Sequence, residues 1–250
     1  MTTVRKIVII TGACGGIGRG AATAFRRAGW HVIGIDQSDP DNGVEVDEFV
    51  QADLGSDNGV ETIRRQLSHV DRLDALVNNA ALQVNQPLVQ TTDEEWTAVM
   101  NTNVRAAFQM IREFHPALSA VRGAVVNVSS VHAIATSMNV AVYAISKGAL
   151  VALTRSAALE LAAEGIRCNA VLPGAIMTPM LEAGLSRRPH PDGPGGNLNA
   201  LIERTPLGFV ATPEQIAPTI VHLADTDLSP YTTGQMMVVD GGATIRLGTE

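Results

Sequence analysis

The chain has 250 residues, 46% of them hydrophobic and 17% charged, which suits one α/β domain with a sizeable core better than two small ones. Its 18 basic residues are scattered among 25 acidic ones, a net charge of -7, so the electrostatic footprint of a nucleic-acid binder is excluded. No stretch approaches the roughly eighteen apolar residues of a membrane span, and MTTVRKIVIITG lacks a signal h-region, so a cytoplasmic protein with no membrane partner is expected. Cys14 and Cys168 have no metal-ligand spacing, and no metal site is expected.

KIVIITG (6–12) reads as a buried parallel strand, and GIGRGAATAFRRAG (16–29) as a helix closed by Gly29. HVIGID (31–36) and EFVQADL (48–54) are the next strands; 58–70 is an amphipathic helix and DALVNNA (74–80) a fourth strand. Thr92 and Glu95 have capping-box spacing at the start of a long helix over 91–118. GAVVNVSS (123–130) is a strand, the helix of YAISK follows over 143–164, and GIRCNAVLPG (165–174) is a strand. Pro218 inside the helical pattern 213–225 predicts a kink or a late start, and QMMVVDGG (235–242) is the last strand. Strands alternating with helices throughout predict one doubly wound parallel α/β sheet over 1–250. The Pro- and Gly-rich segment 186–199 has no period and reads as a lid, within about 180–205, over the ligand end of the sheet.

TGACGGIG (11–18) joins the first strand to the first helix. Gly12, Gly16 and Gly18 allow a sharp turn and close approach to a pyrophosphate, which the helix N-terminus would attract. The spacing is GxxxGxG rather than GxGxxG. Asp36, ending the second strand, can accept bonds from both ribose hydroxyls of an adenosine and would repel a 2′-phosphate, which favours NAD over NADP. These two features also suit a methyltransferase. Tyr143 and Lys147 lie four apart and would share a helical face, where they could act as a proton-transfer pair or as the polar tip of a buried helix.

Taken with QADL (51–54), NNAA (78–81), Asn103, NVSS (127–130), YAISK (143–147), LPGAIMT (172–178) and VDGG (239–242), the glycine turn resembles the classical short-chain dehydrogenase/reductase family over nearly the full length. The resemblance implies a three-layer Rossmann fold and an NAD-dependent oxidoreductase acting on a secondary alcohol or ketone. It implies Tyr143 as general acid/base, Lys147 as its tuning cation and ribose contact, Ser130 as holder of the substrate oxygen, and Asn103 as anchor of a water linked to the lysine. On this reading Lys147 and the positive nicotinamide ring together lower the Tyr143 pKa by about two to three units from about 10. Gly12, Gly16, Ile17, Gly18, Asp36, Asp53, Leu54, Asn79 and Ala80 would contact the cofactor; Ile176 and Thr178 would meet its carboxamide, and Pro173 and Gly174 would shape the turn beside the ring. Ala81 replaces the family's glycine after NNA, where a methyl group could crowd the ribose.

The substrate pocket is expected to include Gln83, His132, Asn139, Met180 and His190, and the polarity of Gln83, His132 and Asn139 tilts the reading towards a sugar or polyol. A 3-oxoacyl-type carbonyl reductase and a non-catalytic NAD-binding regulator are the alternatives. The helices 91–118 and 143–164 are apolar beyond one stripe and should be covered on both sides, which predicts a homodimer or homotetramer.

Overall fold

The computed structural model describes residues 5–41, 43–187 and 190–246. Seven strands, β1 (Ile7–Thr11), β2 (His31–Asp36), β3 (Glu48–Gln51), β4 (Ala75–Asn78), β5 (Ala124–Val128), β6 (Arg167–Pro173) and β7 (Met236–Val239), form one sheet in the order β3-β2-β1-β4-β5-β6-β7. Every pairing is parallel. The connecting helices are α1 (Gly16–Arg27), α2 (Gly59–Gln66), α3 (Asp93–Met100), α4 (Ala106–Val121), α5 (Ala141–Glu160), α6 (Pro179–Ser186), α7 (Gly193–Arg204) and α8 (Pro213–Ala224).

The strand period builds two cores, one on each face. Ile9, Leu76 and Val125 point to the layer of α2, α4 and α5, where they pack with Ile63, Met110 and Phe114. Their neighbours Val8, Val77 and Val126 point to the opposite layer, where α1 and α8 contribute Phe25, Ile216 and Ile220. The fold is thus the expected three-layer, doubly wound Rossmann arrangement. Gly29 sits at φ +82 just past α1, and Trp30 N–H donates to the Phe25 carbonyl at 3.0 Å, the bond pattern of a glycine-closed helix end.

Several elements depart from the pattern read in the sequence. The helix expected over 58–70 stops at Gln66. The long helix begins at the expected capping box, with Glu95 N–H donating to Thr92 Oγ1 and Thr92 N–H to Glu95 Oε2, but a π turn over Asn101–Arg105 splits it into α3 and α4. The Tyr143 helix begins two residues early, at Ala141. Pro218 does not delay α8, which starts at Pro213 and runs through it. The segment read as aperiodic forms helix from Gly193 onwards; its glycines and proline hide the helix because they fall in the first turn, where intrahelical N–H bonds are not yet needed. Arg188 and Pro189 of the expected lid lie outside the described residues.

Candidate active site

Strand order reverses between β1 and β4, so the crevice beyond their carboxyl ends is where such a sheet can take a ligand. A cleft of about 410 Å³ opens there. Its floor is the glycine turn. Gly12 adopts φ +67, and a Cβ on it would come within 2.8 Å of the Ala80 Cα. A Cβ on Gly18 would fall on the Gly12 carbonyl oxygen, and one on Gly16 would meet the Thr178 methyl at 2.5 Å. Glycine at these positions lets turn, helix and neighbouring strand close on each other. Gly15 begins α1 with no side-chain cap and lines the cleft, so the first N–H groups of the helix are left to a ligand. A pyrophosphate fits that arrangement.

Thr11, just before the turn, accepts from the N–H groups of Asn79 and Ala80 through one hydroxyl, at 2.9 and 3.0 Å. Asn79 Nδ2 donates to the carbonyls of Thr11 and Gly12. These bonds fix the end of β4 against the glycine turn, and Asn79 and Ala80 line the cleft as expected. Asp36 lines its far end; Oδ2 accepts from Cys14 N–H at 2.9 Å and Oδ1 from Ser38 N–H at 3.0 Å. The carboxylate is held by backbone, with lone pairs left for a second partner on each oxygen. Ile17, Asp53 and Leu54 complete this half, together with Cys14, Gln37 and Ser38; of these, Ser38 is the one sequence reasoning did not single out, because nothing marks a residue two past an acid as the wall of a pocket. The Ala81 methyl lines the cleft at an ordinary backbone φ, so the missing glycine introduces no strain.

At the other end, β5 and α5 hold Ser130, Tyr143 and Lys147 together. All three are buried, at 6%, 7% and 2% exposure. Lys147 Nζ donates to the Val128 carbonyl at 2.8 Å and lies 5.5 Å from the Tyr143 ring centre, while Ser129 Oγ donates to the Lys147 carbonyl at 2.9 Å. Strand end and helix are therefore bonded in both directions, and Ser129, which forms this clamp, lines the cleft, while Ser130 lies behind its wall. The Ser130 hydroxyl, which accepts from His132 N–H at 3.2 Å, lies beside the Tyr143 phenol. Beneath them, Asn78 Nδ2 donates to Asn127 Oδ1, and Asn127 Nδ2 to Thr154 Oγ1, each at 2.8 Å. This buried polar chain ties β4, β5 and α5 into one support.

Burial pushes the phenol of Tyr143 up to about 12, with the Ser130 hydroxyl working against that rise, and pulls Lys147 down to about 7. The chain alone, without the nicotinamide ring, therefore does not supply the acidification expected from Lys147 and that ring together. Both groups leave water for an apolar setting that disfavours their charged forms, and the lysine loses part of its charge near neutrality.

Asn103 sits in the π turn, buried, and its side-chain amide is fully engaged. Oδ1 accepts from Leu82 N–H at 2.7 Å, and Nδ2 donates to the Leu82 carbonyl and to Ser146 Oγ, both at 2.9 Å. Ser146 in turn donates to the Tyr143 carbonyl at 2.7 Å. The amide thus joins the 79–82 loop to the helix that carries Tyr143, with both of its N–H donors in use. Other residues also stand apart from the cleft wall. Gln83 donates to Asn85 Oδ1, His132 Nδ1 lies 3.0 Å from Thr136 Oγ1 with its ring edge-on to Tyr143 at 5.8 Å, and Asn139 is exposed at φ +65 just before α5. Ile176 turns into the core beside α8, and Pro173 and Gly174 pack at the end of β6 against Asp240. Thr178 and Met180 do line the cleft. His190 lies in the α6–α7 connection, its Nδ1 accepting from Asp192 N–H at 3.1 Å.

Residues 12–244 match the family model described as Enoyl-(Acyl carrier protein) reductase. The chain is 34% identical over 249 residues to "Dehydrogenase/reductase SDR family member 6" of Xenopus laevis, covering 95% of this chain and 96% of that protein. The ligand-free aldohexose dehydrogenase of Thermoplasma acidophilum superposes with a TM-score of 0.90 at 28% identity, over 98% of this chain and 96% of that one. A putative NAD(P)-dependent gluconate 5-dehydrogenase from Beutenbergia cavernae, with bound NADP at low occupancy, matches at 0.88 and 32% identity over 98% of both chains. A 4-hydroxyisoleucine dehydrogenase complexed with NADH matches at 0.85 and 27% identity, over 97% of this chain and 100% of that one. Fold and relatives define an oxidoreductase that moves hydride with a nicotinamide dinucleotide. The chain belongs to the classical short-chain dehydrogenase/reductase family.

Proposed function

We propose that the chain is an NAD-dependent dehydrogenase that interconverts a secondary alcohol and a ketone on a small, polyhydroxylated substrate. The observation that carries this reading is the meeting of Tyr143 and Lys147, with buried Ser130 behind the cleft wall, at the end of a cleft whose other end holds Asp36. The bound dinucleotide supplies or accepts the hydride at the carbinol carbon. The chain's part is proton transfer and placement. In reduction, Tyr143 Oη donates its proton to the carbonyl oxygen, and a phenol raised by burial to about 12 is held in the protonated, donating form. In oxidation, Tyr143 must take the alcohol proton as phenolate, so Lys147 has to stay charged beside it. Ser130 Oγ, beside the phenol, would bond the same substrate oxygen.

Asp36 would hold the adenosine ribose and oppose a 2′-phosphate, which favours NAD; the comparison proteins carry NADH in one case and NADP in another. Names of similar proteins, an aldohexose and a gluconate dehydrogenase, agree with the polar substrate suggested by Gln83, His132 and Asn139, which would have to approach the cleft from the rim. The helices α6 and α7 would act as the lid. The test is NAD reduction followed at neutral and alkaline pH over a panel of sugars, polyols, hydroxy acids and simple secondary alcohols, with NADP in parallel. Turnover of polyhydroxylated members with NAD is expected. Higher kcat/KM with NADP, or activity confined to unfunctionalised alcohols, contradicts the reading.

A further inference from the structure

Beside the adenosine end of the cleft lies an arginine that the cofactor reading does not use. Arg19 is in the first turn of α1. Its Nε donates to the Cys14 carbonyl at 2.8 Å, and its two terminal nitrogens donate to the two oxygens of Asp41 at 2.6 and 2.9 Å. Cys14 N–H meanwhile donates to Asp36 Oδ2. One residue of backbone therefore separates the Asp36 carboxylate from the Arg19 guanidinium, and Asp41 engages the arginine in a bidentate pair. Asp41 is itself set by the bond it accepts from Gly43 N–H at 2.8 Å. Among the described residues, the cleft wall carries one basic side chain, Lys147, at the opposite end.

We propose that Asp41 is a specificity-determining residue: by holding Arg19, it withholds from a ribose 2′-phosphate the cation lying next to that position. A carboxylate and a phosphate offer the guanidinium fork the same paired oxygens, so they compete for it. With Asp41 in possession, a 2′-phosphate meets Asp36 without a compensating positive charge. Without Asp41, the Nε bond to Cys14 keeps the guanidinium beside the ribose site with two N–H donors released. Discrimination against the phosphorylated cofactor then has two parts, the repulsion by Asp36 and the sequestering of Arg19. The inference rests on the reading of Asp36 as the ribose acid, and it adds a residue 22 positions from its arginine partner.

Binding measured without substrate tests it. NADH and NADPH affinities are read by cofactor fluorescence, and 2′,5′-ADP affinity by calorimetry, for the wild type, Asp41→Asn, Asp41→Ala, Arg19→Gln and the double variant Arg19→Gln/Asp41→Ala. Asp41→Asn retains an acceptor for Gly43 N–H and so guards the loop. Both Asp41 variants should tighten NADPH and 2′,5′-ADP about tenfold, the order of one charge-assisted hydrogen bond, with NADH altered by less than about threefold. The double variant should lose the gain. An unchanged NADPH affinity, a gain that survives Arg19→Gln, or equal losses for both cofactors would make the pair a loop staple and overturn the proposal. Tighter NADPH than NADH binding by the wild type would overturn it too. Wild-type binding of NADH tests the cofactor reading separately: if NADH does not bind, that reading fails and the proposal with it. If NADH binds and the Asp41 variants leave NADPH unmoved, only the proposal fails.

Discussion

Tyr143 and Lys147 sit in a site dry enough to oppose the charge each needs, and that opposition can be measured. Tyr143→Phe keeps the ring against His132 and removes only the hydroxyl that donates the proton, so turnover should fall by about 10²–10⁴ with NADH affinity nearly intact; single-turnover rates and cofactor titration check both halves. Lys147 gives a stability signature. Its native pKa of about 7 lies below the ordinary lysine value of about 10.4. Between those values the unfolded chain binds the extra proton, so stability rises with pH; the cost is full below about pH 7 and fades towards the unfolded value. In cofactor-free protein, denaturant unfolding of the wild type minus that of Lys147→Met should change by up to about 1.4 kcal/mol per pH unit across that window. A flat difference would show that Lys147 keeps its charge in the native state. The pairing of Tyr143 with Lys147 was legible from a spacing of four. The direction of their shifts was not, because burial is set by β5 and the 79–82 loop, far away in sequence.

Among the elements, strands were the most readable. KIVII and AVVNV are β-branched runs buried on both faces, and their alternation assigns each residue to one of the two cores. The π turn at Asn101–Arg105 left no trace in the sequence, since one extra residue in a hydrogen-bonded turn changes no residue type. The start of α7 was hidden by GPGG for the opposite reason, residues whose usual message is a loop. Finding α7 refines the lid expectation: its body should be protected from amide exchange on its own account, and the short α6–α7 connection should be the part that responds. Hydrogen exchange of peptides over 186–200 should slow when NADH and substrate are both bound. Equal protection in both states would make α6 and α7 fixed walls.

For the molecule as a whole, the helix layer containing α4 and α5 leaves large apolar side chains uncovered. Phe108, Ile145 and Leu159 are 48%, 43% and 82% exposed, and Trp96 on neighbouring α3 is 42% exposed. Their spread along one layer supports the expected homodimer or homotetramer. Light scattering should give at least twice the 26.3 kDa chain mass, and Phe108→Glu with Leu159→Glu should shift the population towards monomer. A wild-type monomer at micromolar concentration would remove this expectation. The opposite, amino end of the sheet is secured internally: buried Arg167 donates to the Leu223 and Ala224 carbonyls at the end of α8, and Lys6 bridges Asp225 and Asp227.

The π turn also makes the chain's length count at one place. Each residue in an α-helix advances about 100° around the axis, and a single π turn absorbs one surplus residue without passing that rotation on. Removing Thr102 would let α3 and α4 merge into a regular helix, a gain in local hydrogen bonding. The flanks would keep their phase, but Asn103, inside the turn, would lose the orientation in which its amide reaches Leu82 and Ser146. Exchanges of Thr102 for other side chains should therefore be borne far better than its loss. In a library of single substitutions and single-residue deletions scored for soluble yield and turnover, the segment 101–105, Asn103 apart, should stand out as permissive to the first kind of change and closed to the second.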